Sequence, residues 1–270
     1  MSSSFNDVWQ NQVTEIIDSG EKVAPRGQPT LELLHRTTVV DMRRPILTVA
    51  ERKLNYRFMA AEAFWILSGL DTTADIVPWN SKIADFSDDG VKFAGAYGPM
   101  VYSQLHYVVG KLMDPDTRQA TMTIWRPNPA PSKDIPCTIA IDFKIRQNRL
   151  SAHVFMRSSD VWLGLPYDVF NFSMLGHLVC ALLRQRDPEL TLEPGRLYLT
   201  AASSHLYERN LEDARVASES LVVEVARFGL GEPMTPEILY RDPVFLLSTL
   251  QRLRDAKAGN PLRWWEYGNA

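Results

Sequence analysis

Apolar and polar residues alternate in two stretches on either side of a proline-rich loop at 126–133. Residues 119–125 precede the loop and residues 138–145 follow it, and a period of two is typical of a half-buried strand. The alternation continues over 150–155, so the polar pair Gln147-Asn148 predicts a hairpin turn. The positions expected on the inner face are Ala120, Met122, Ile124, Ile139, Ile141, Phe143 and Ile145.

Helical periodicity appears in three other segments. Residues 51–67 place four apolar side chains on one face, and the carboxylate of Glu62 lies within that face. Residues 173–184 are apolar nearly all round, which predicts a buried helix, and residues 210–228 are amphipathic. Together with a further strand candidate at 196–201, these segments predict an α+β fold with a mainly antiparallel or mixed sheet.

Composition narrows the class of protein. The chain of 270 residues and 30.7 kDa, with 45% hydrophobic residues, fits one domain over 1–270. Its net charge of -3 gives no basic field for nucleic acid. No apolar run approaches the roughly 20 residues of a membrane span, and the first residues lack a secretion signal. We expect a cytoplasmic protein with reduced thiols and no metal, because two cysteines cannot form a disulfide framework or a four-thiolate metal site. The sequence contains neither glycine-rich phosphate-binding motif, which argues against a dinucleotide-binding or P-loop protein.

Cys137 is the first candidate for chemistry. It follows a proline at the start of a predicted strand, where nearby arginines would lower its pKa and raise the thiolate fraction. The alternative is a small core residue, which is the interpretation that we favour for Cys180 in its apolar helix.

Two further groups of residues could bind or move protons. Burial of Glu62 would raise its pKa into the range useful for proton transfer, whereas a position at the helix edge would leave it solvated. Arg157 and Ser158 follow a strand and could hold a phosphate, although such a pair is also common on surfaces. His205 and Tyr207 could orient a sugar hydroxyl.

Taken in order, these pieces resemble the thymidylate synthase superfamily, most of all its phage-type deoxycytidylate hydroxymethylases. The resemblance covers about residues 26–210, and its longest element is the stretch from Arg157 to Asp168. The other matching elements are Arg26-Gly27, the segment 61–69 around Glu62, Tyr97-Gly98, Arg118-Gln119, Pro136-Cys137 and the segment from His205 to Tyr207.

The resemblance implies a role for each matched residue. Cys137 would be the nucleophile, and Glu62 and Tyr97 would order water and move protons. Asp168 would contact the base, while the cosubstrate 5,10-methylenetetrahydrofolate would meet Asp160, Gly164 and Trp79. The substrate would be held by Arg26, Arg157, Ser158, His205 and Tyr207, with Arg118 donated by the second subunit of a homodimer whose sheets pack back to back.

Asp168 is the departure that bears on the substrate. Members that act on deoxyuridylate have asparagine at this point, and an amide accepts from uracil N3–H while it donates to O4. Cytosine presents the opposite pattern, which a carboxyl group suits. The resemblance therefore implies a deoxycytidylate 5-hydroxymethyltransferase; alternatively, Asp168 caps a turn and the base is read elsewhere.

Other departures leave alternatives open. Thr138 follows the cysteine where methylating members have histidine, Gln119 replaces a second arginine, and the segment 262–270 with Trp264-Trp265 differs from the family's closing tail. A deoxycytidylate methyltransferase that uses folate as hydride donor is the nearest alternative. Hydroxymethylases of deoxyuridylate or cytidylate, and a relative that binds a nucleotide without catalysis, are the others.

Overall fold

A computed structural model describes residues 4–220, 234–235 and 237–256. Its described part contains seven strands and six α-helices in an α+β arrangement, as the sequence predicts. The strands are β1 (Glu21–Val23), β2 (Thr30–Asp41), β3 (Thr121–Thr123), β4 (Thr138–Arg146), β5 (Arg149–Met156), β6 (Ser159–Asp160) and β7 (Glu193–Tyr207). The helices are α1 (Phe5–Ser19), α2 (Tyr56–Leu67), α3 (Tyr97–Leu112), α4 (Leu165–Arg186), α5 (Leu211–Glu219) and α6 (Pro243–Asp255).

One mixed sheet joins these strands in the order β1-β2-β7-β5-β4-β3, and β6 extends the pairing along β7. Neighbouring strands are antiparallel, including β2 with β7, except that β7 runs parallel to β5 and to β6. Helices α1 and α4 pack on the sheet, and α2 packs on α4 from the other side. This arrangement brings the start of β4, the end of β5 and the first turn of α4 to one end of the sheet.

The hairpin between β4 and β5 turns at Gln147 and Asn148, as predicted. Both residues have positive φ, 52° and 57°, which matches the twist of a tight two-residue hairpin turn. The inner-face prediction is wrong for Ile139, which is 40% exposed, because the ladder between β4 and β5 shifts register between Thr138 and Ala140. Beyond that irregularity, Ile141, Phe143 and Ile145 are buried as expected.

Several predicted element boundaries are also wrong. The helix expected from residue 51 begins at Tyr56, because the Asn55 side chain caps it by accepting from the Phe58 N–H at 3.0 Å. The helix expected over 210–228 is described only as α5, and residues 221–228 lie outside the described part. The strand predicted at 119–125 is shorter in the structure, where it is β3. The strand predicted at 196–201 is the centre of the longer β7, and the helix predicted at 173–184 is the C-terminal part of α4.

Helix α1 packs against β2 and β7 of the sheet and against α5. A capping box fixes its start, since Ser4 and Asp7 exchange hydrogen bonds between side chain and backbone. The buried indole N–H of Trp9 donates to the carbonyl of Val161 at 2.8 Å, which ties α1 to the segment between β6 and α4. None of the described helices is long and apolar enough to cross a membrane.

Candidate active site

Cys137 lies immediately before β4, beside the residue that follows β5. The Arg157 N–H donates to the carbonyl of Cys137 at 2.9 Å. The guanidinium of Arg157 donates to the carbonyls of Pro136 and Ile135 at 3.0 and 2.9 Å. Three hydrogen bonds from a single arginine therefore hold the backbone around the thiol.

The charge around Cys137 differs from the sequence expectation. Arg157 and Arg26 are close enough to lower the pKa of the thiol, as predicted. Burial has the larger effect, and the carboxyls of Asp168 and Asp134 add to it, so the pKa is raised overall. The prediction of a lowered pKa is therefore wrong for the described protein, because partial burial outweighs the arginines. Cys180 is fully buried and its pKa is also raised, in line with an inert core thiol.

Asp168 lies in the first turn of α4 and faces the same region. In the described part of the chain, no side chain hydrogen-bonds to its carboxyl group, although its own N–H donates to the Gly164 carbonyl at 3.0 Å. Burial, and then the negative charges of Glu62 and Asp160, raise the pKa of Asp168 well above its usual range. A carboxyl group in this setting favours the neutral form, which both donates and accepts hydrogen bonds.

Glu62 projects from α2 toward α4. The buried amide of Asn171 donates from Nδ2 to Glu62 Oε2 at 2.7 Å. Burial raises the pKa of Glu62 to about 7, against the opposing effect of this hydrogen bond. The prediction that burial moves this carboxyl into the range useful for proton transfer is confirmed in direction.

Tyr97, the first residue of α3, meets the residue that follows the cysteine. Its hydroxyl accepts a hydrogen bond from the Thr138 N–H at 3.2 Å, and its ring stacks on Phe172 with centroids 6.3 Å apart. Burial, and then the charges of Asp168 and Cys137, raise the pKa of the phenol. The hydroxyl of Tyr97 therefore stays protonated and keeps its own proton available to donate.

A cationic and polar group lies beside the thiol. Ser158 Oγ is 3.4 Å from His205 Nδ1, and the rings of His205 and Tyr207 meet edge to face at 5.2 Å. Burial lowers the pKa of His205, against the opposing effect of the negative charge of Asp160. Arg26 approaches from the turn Pro25–Gly27, where it adopts a positive φ of 53°.

Asp160 occupies the other side of this group, on β6. Its Oδ1 accepts from the N–H groups of Trp162 and Leu163, each at 2.8 Å. Its Oδ2 is buried and has no hydrogen-bond partner among the described residues. Burial raises the pKa of Asp160. An additional ligand hydrogen bond to Oδ2 would satisfy this carboxyl.

Trp79 packs against α6. Its indole N–H donates to the Arg254 carbonyl at 2.8 Å, and the Arg254 guanidinium lies 4.6 Å from its ring centroid. One face of the ring is therefore covered by a cation. Gly164 lies beside Asp168, since a Cβ added to it would stand 3.4 Å from Asp168 Oδ2.

Arg118 is not brought to this group within the chain. It is exposed just before β3, and it is absent from the charges that shift the pKa of Cys137. The C-terminal segment 262–270, with Trp264-Trp265, lies outside the described residues.

Sequence reasoning missed two residues of this region. Asn171 was overlooked, although it follows Asp168 by three positions and such residues share a helix face. Arg209 stacks over Tyr207 at 4.1 Å and donates to Gln28 Oε1 at 2.7 Å, which links β7 to the turn that carries Arg26. Its position two residues after Tyr207 was the available signal.

Together these residues form the candidate active site. A thiol, a tyrosine and two carboxyl groups with raised pKa values meet beside exposed arginines. The sequence profile of the thymidylate synthase family matches residues 7–233. The chain therefore belongs to the thymidylate synthase family, as the resemblance predicted.

Two named relatives are similar to the chain over part of their length. The chain is 30% identical over 229 residues to the deoxyuridylate hydroxymethyltransferase of Bacillus phage SP01, covering 76% of this chain and 57% of the relative. It is 33% identical over 159 residues to the deoxyuridylate hydroxymethyltransferase of Delftia phage PhiW-14, covering 52% of this chain and 44% of the relative. The chain thus spans about half the length of these relatives.

Proposed function

We propose that the protein is a folate-dependent 5-hydroxymethyltransferase that converts deoxycytidylate to 5-hydroxymethyldeoxycytidylate. The observation that carries the choice of base is Asp168, a carboxyl group without a side-chain partner at the point where the family's deoxyuridylate-methylating members have an asparagine. Cytosine offers an acceptor at N3 and a donor at N4, and the neutral form of Asp168 matches both.

Deoxyuridylate is the second candidate substrate, and the names of the two relatives favour it. A neutral carboxyl group can carry its proton on either oxygen. It can therefore accept from uracil N3–H and donate to O4, with the two oxygens exchanging roles. The same property extends to cytidylate, because Asp168 does not meet the sugar.

The Cys137 thiolate would add to C6 of the base and make C5 nucleophilic. The cosubstrate methylenetetrahydrofolate supplies the one-carbon unit at this point. Loss of the C5 proton and departure of tetrahydrofolate would then leave an exocyclic methylene on the ring, and water would add to that carbon to give the hydroxymethyl group. Glu62 takes the proton of this water, and the Tyr97 hydroxyl donates a hydrogen bond at the same site. Departure of the Cys137 thiolate from C6 then restores the enzyme.

Binding follows from the groups around the thiol. Arg26, Arg157 and Ser158 would hold the 5′-phosphate, and His205 with Tyr207 would meet the 3′-hydroxyl. Asp160 would accept from the pterin through Oδ2, which has no partner among the described residues. Trp79 and Gly164 would line the same folate pocket.

A methyl product is the nearest alternative outcome. It would require hydride from the folate to reach the exocyclic methylene before water does. Thr138 stands where methylating members have histidine, and its buried hydroxyl has no hydrogen-bond partner among the described side chains. A buried hydroxyl without a partner can bind a water molecule, and this supports a site in which water can reach the exocyclic methylene.

We further propose a homodimer, with Arg118 donated to the partner's phosphate site. The sheet face away from α1 and α4 carries Phe155, which is 44% exposed, and a stacked His153–Tyr198 pair with centroids 4.7 Å apart. Such a face is a candidate for burial against a second copy. We also propose that residues 1–270 form a single catalytic domain. If the protein is encoded by a phage, it would act in the cytoplasm of the host.

Mass spectrometry of nucleotides incubated with the protein and methylenetetrahydrofolate tests this function. Deoxycytidylate, deoxyuridylate and cytidylate are run separately and then in competition. We expect deoxycytidylate to gain a hydroxymethyl group with tetrahydrofolate as coproduct. Reaction of deoxyuridylate alone would move the assignment to the second candidate, a methyl gain with dihydrofolate would overturn the chemistry, and no reaction would favour a non-catalytic relative.

A further inference from the structure

The buried amide of Asn171 joins two helices at the candidate site. Its Nδ2 donates to Glu62 Oε2 at 2.7 Å, across the contact between α4 and α2. The residue is 4% exposed, and its Oδ1 has no hydrogen-bond partner among the side chains and backbone groups that the structure describes. The Nδ2 end of the amide therefore has a hydrogen-bond partner, whereas its Oδ1 end has none among the described residues.

An unsatisfied buried carbonyl oxygen needs a donor. Nearly all such groups in folded proteins bind protein or ordered water. Glu62, which binds the Nδ2 end of the same amide, only accepts when it is ionised and so supplies no donor to Oδ1. A water molecule can satisfy both, because it donates one hydrogen to Asn171 Oδ1 and the other to the Glu62 carboxylate.

The same hydrogen bond controls the charge of Glu62. Burial alone disfavours the carboxylate, while the Nδ2 donor favours it, and the two effects leave the pKa at about 7. At neutral pH the carboxyl is then about half ionised, so it can both accept and release a proton. Loss of the donor would leave Glu62 largely protonated.

Helix geometry connects this pair to the base. Asn171 follows Asp168 by three positions, so the two side chains lie on the same face of α4. Asp168 is within electrostatic reach of Glu62. A water held by Glu62 and Asn171 would thus lie about one helical turn from Asp168, the residue proposed to contact N3 and the C4 substituent of the base.

We propose that Asn171 is a positioning residue that orients Glu62 through Nδ2 and holds, through Oδ1, the water that adds to the exocyclic methylene. The inference rests on the proposed function. In the step, the water oxygen bonds to the methylene carbon and its proton passes to Glu62. The electron pair of the methylene double bond moves to C5 and expels the Cys137 thiolate from C6.

The first experiment titrates Glu62 without substrate, by infrared difference spectroscopy of the carboxyl band. Comparison of the wild type with Glu62→Gln identifies the band. In Asn171→Ala we expect the pKa of Glu62 to rise by about one pH unit, because a charge-assisted donor is lost. Ser173→Ala is the matched control, since its buried hydroxyl lies on the same helix and donates only to the Val169 carbonyl. An unchanged pKa in a folded Asn171→Ala protein would overturn the orienting role, whatever the reaction is.

The second experiment measures the competition for the exocyclic methylene. Added 2-mercaptoethanol competes with water, and the thioether and hydroxymethyl products differ in mass. We expect the thioether fraction relative to the hydroxymethyl product to rise about tenfold in Asn171→Ala, with tritium release from C5 of the substrate changed less than about threefold. Asn171→Asp keeps an acceptor oxygen but loses the donor, so it should raise the pKa of Glu62 and partly retain the preference for water.

The outcomes separate the two proposals. An unchanged product ratio in Asn171→Ala, with wild-type hydroxymethylation intact, would overturn the water-holding role alone. Failure of the wild type to form any hydroxymethyl product would overturn the proposed function together with that role, and the titration would then decide whether Asn171 orients Glu62.

Discussion

The hydroxyl of Tyr97 accepts a hydrogen bond from the backbone N–H of Thr138 at 3.2 Å. This contact links the first residue of α3 to the residue that follows Cys137 in the chain. Since the oxygen is the acceptor here, the phenolic proton remains for a second partner. Tyr97 therefore fixes the start of β4 and supplies a donor to the site at the same time.

Removal of this hydroxyl should affect turnover more than folding. In Tyr97→Phe the ring still stacks on Phe172, so we expect a loss of stability of about 1 kcal/mol. The release of tritium from C5 should fall by about 10²-fold, because a proton donor and acceptor is lost from the site. Tyr102→Phe, on the exposed side of the same helix, should behave like the wild type. Equal tritium release by both variants would contradict the role of Tyr97.

The raised pKa of Glu62 predicts a stability effect with a defined sign. Its pKa is 4.5 in an ordinary environment and about 7 in the folded protein, so the folded state binds the proton more tightly than the unfolded state. Stability is then lost as the pH rises from about 4.5 to about 7. We expect Glu62→Gln to be stabilised relative to the wild type, with a gain that grows by about 2 kcal/mol between pH 5 and pH 8.

Urea unfolding of both proteins at the two pH values measures this gain. Glu51→Gln, which removes a carboxyl group from an exposed position just before α2, is the control. A gain that is independent of pH would show that Glu62 is not held protonated by burial.

Asp168→Asn should change the preferred base. An amide has a fixed donor and a fixed acceptor group, and it can accept from uracil N3–H while it donates to O4. We expect the ratio of kcat/KM for deoxycytidylate to that for deoxyuridylate to fall by about 10²-fold, because the disfavoured base leaves buried polar groups unpaired. Asp187→Asn, just beyond the end of α4, is the matched control. An unchanged ratio would mean that the base is read by other residues.

The reactivity of Cys137 should follow its surroundings. Burial raises the pKa of the thiol, so alkylation by iodoacetamide should have its pH midpoint above that of an ordinary cysteine. Arg157→Gln removes a nearby cation and should slow alkylation at pH 8 by about threefold. Arg149→Gln, at the far end of β5, should leave the rate unchanged. Cys137→Ser shows whether the buried Cys180 contributes to the labelling, and a midpoint below pH 7 would contradict the effect of burial.

A shared site predicts complementation between inactive proteins. In a mixture of Arg118→Ala and Cys137→Ala, half of the dimers are mixed and each contains one intact site. We therefore expect about one quarter of wild-type activity after subunit exchange. A mixture of Cys137→Ala with Glu62→Gln should recover none, because both residues serve the site of their own chain. Failure of the first mixture to recover, with exchange shown by native mass spectrometry, would place Arg118 outside the partner's site.

Local patterns were sufficient for the type of fold and for β3, β4, β5 and β7, whereas β1, β2 and β6 were not predicted. The alternation in 138–145 and the polar pair Gln147-Asn148 predicted the β4–β5 hairpin, which depends on neighbours in the chain. The alternation could not reveal the exposed position of Ile139, because the register shift involves how β4 pairs with β5. The start of α2 was misplaced for a different reason, since the cap at Asn55 competes with the favourable helical pattern before it.

In the candidate site, too, local sequence features were predictable and features that depend on distant contacts were not. Cys137 and Glu62 stand out in the sequence as reactive or out-of-place residues, whereas Asp168 stands out only by comparison with the family that the chain resembles. The net charge effect on Cys137 could not be predicted, because it depends on how deeply the chain buries the thiol relative to Arg157. Asn171 was missed because its importance comes from a contact with Glu62, 109 positions away.

The hydrogen bonds from the Arg157 side chain to the backbone beside Cys137 affect how a nucleoside, which has no phosphate, would react. Its side chain uses two donors on the carbonyls beside Cys137, and a guanidinium has five N–H groups. The exposed remainder is available to a phosphate, so one residue connects the substrate's phosphate to the backbone that carries the thiol. A substrate without a phosphate would lose this connection as well as binding energy, and its maximal rate would fall together with its affinity.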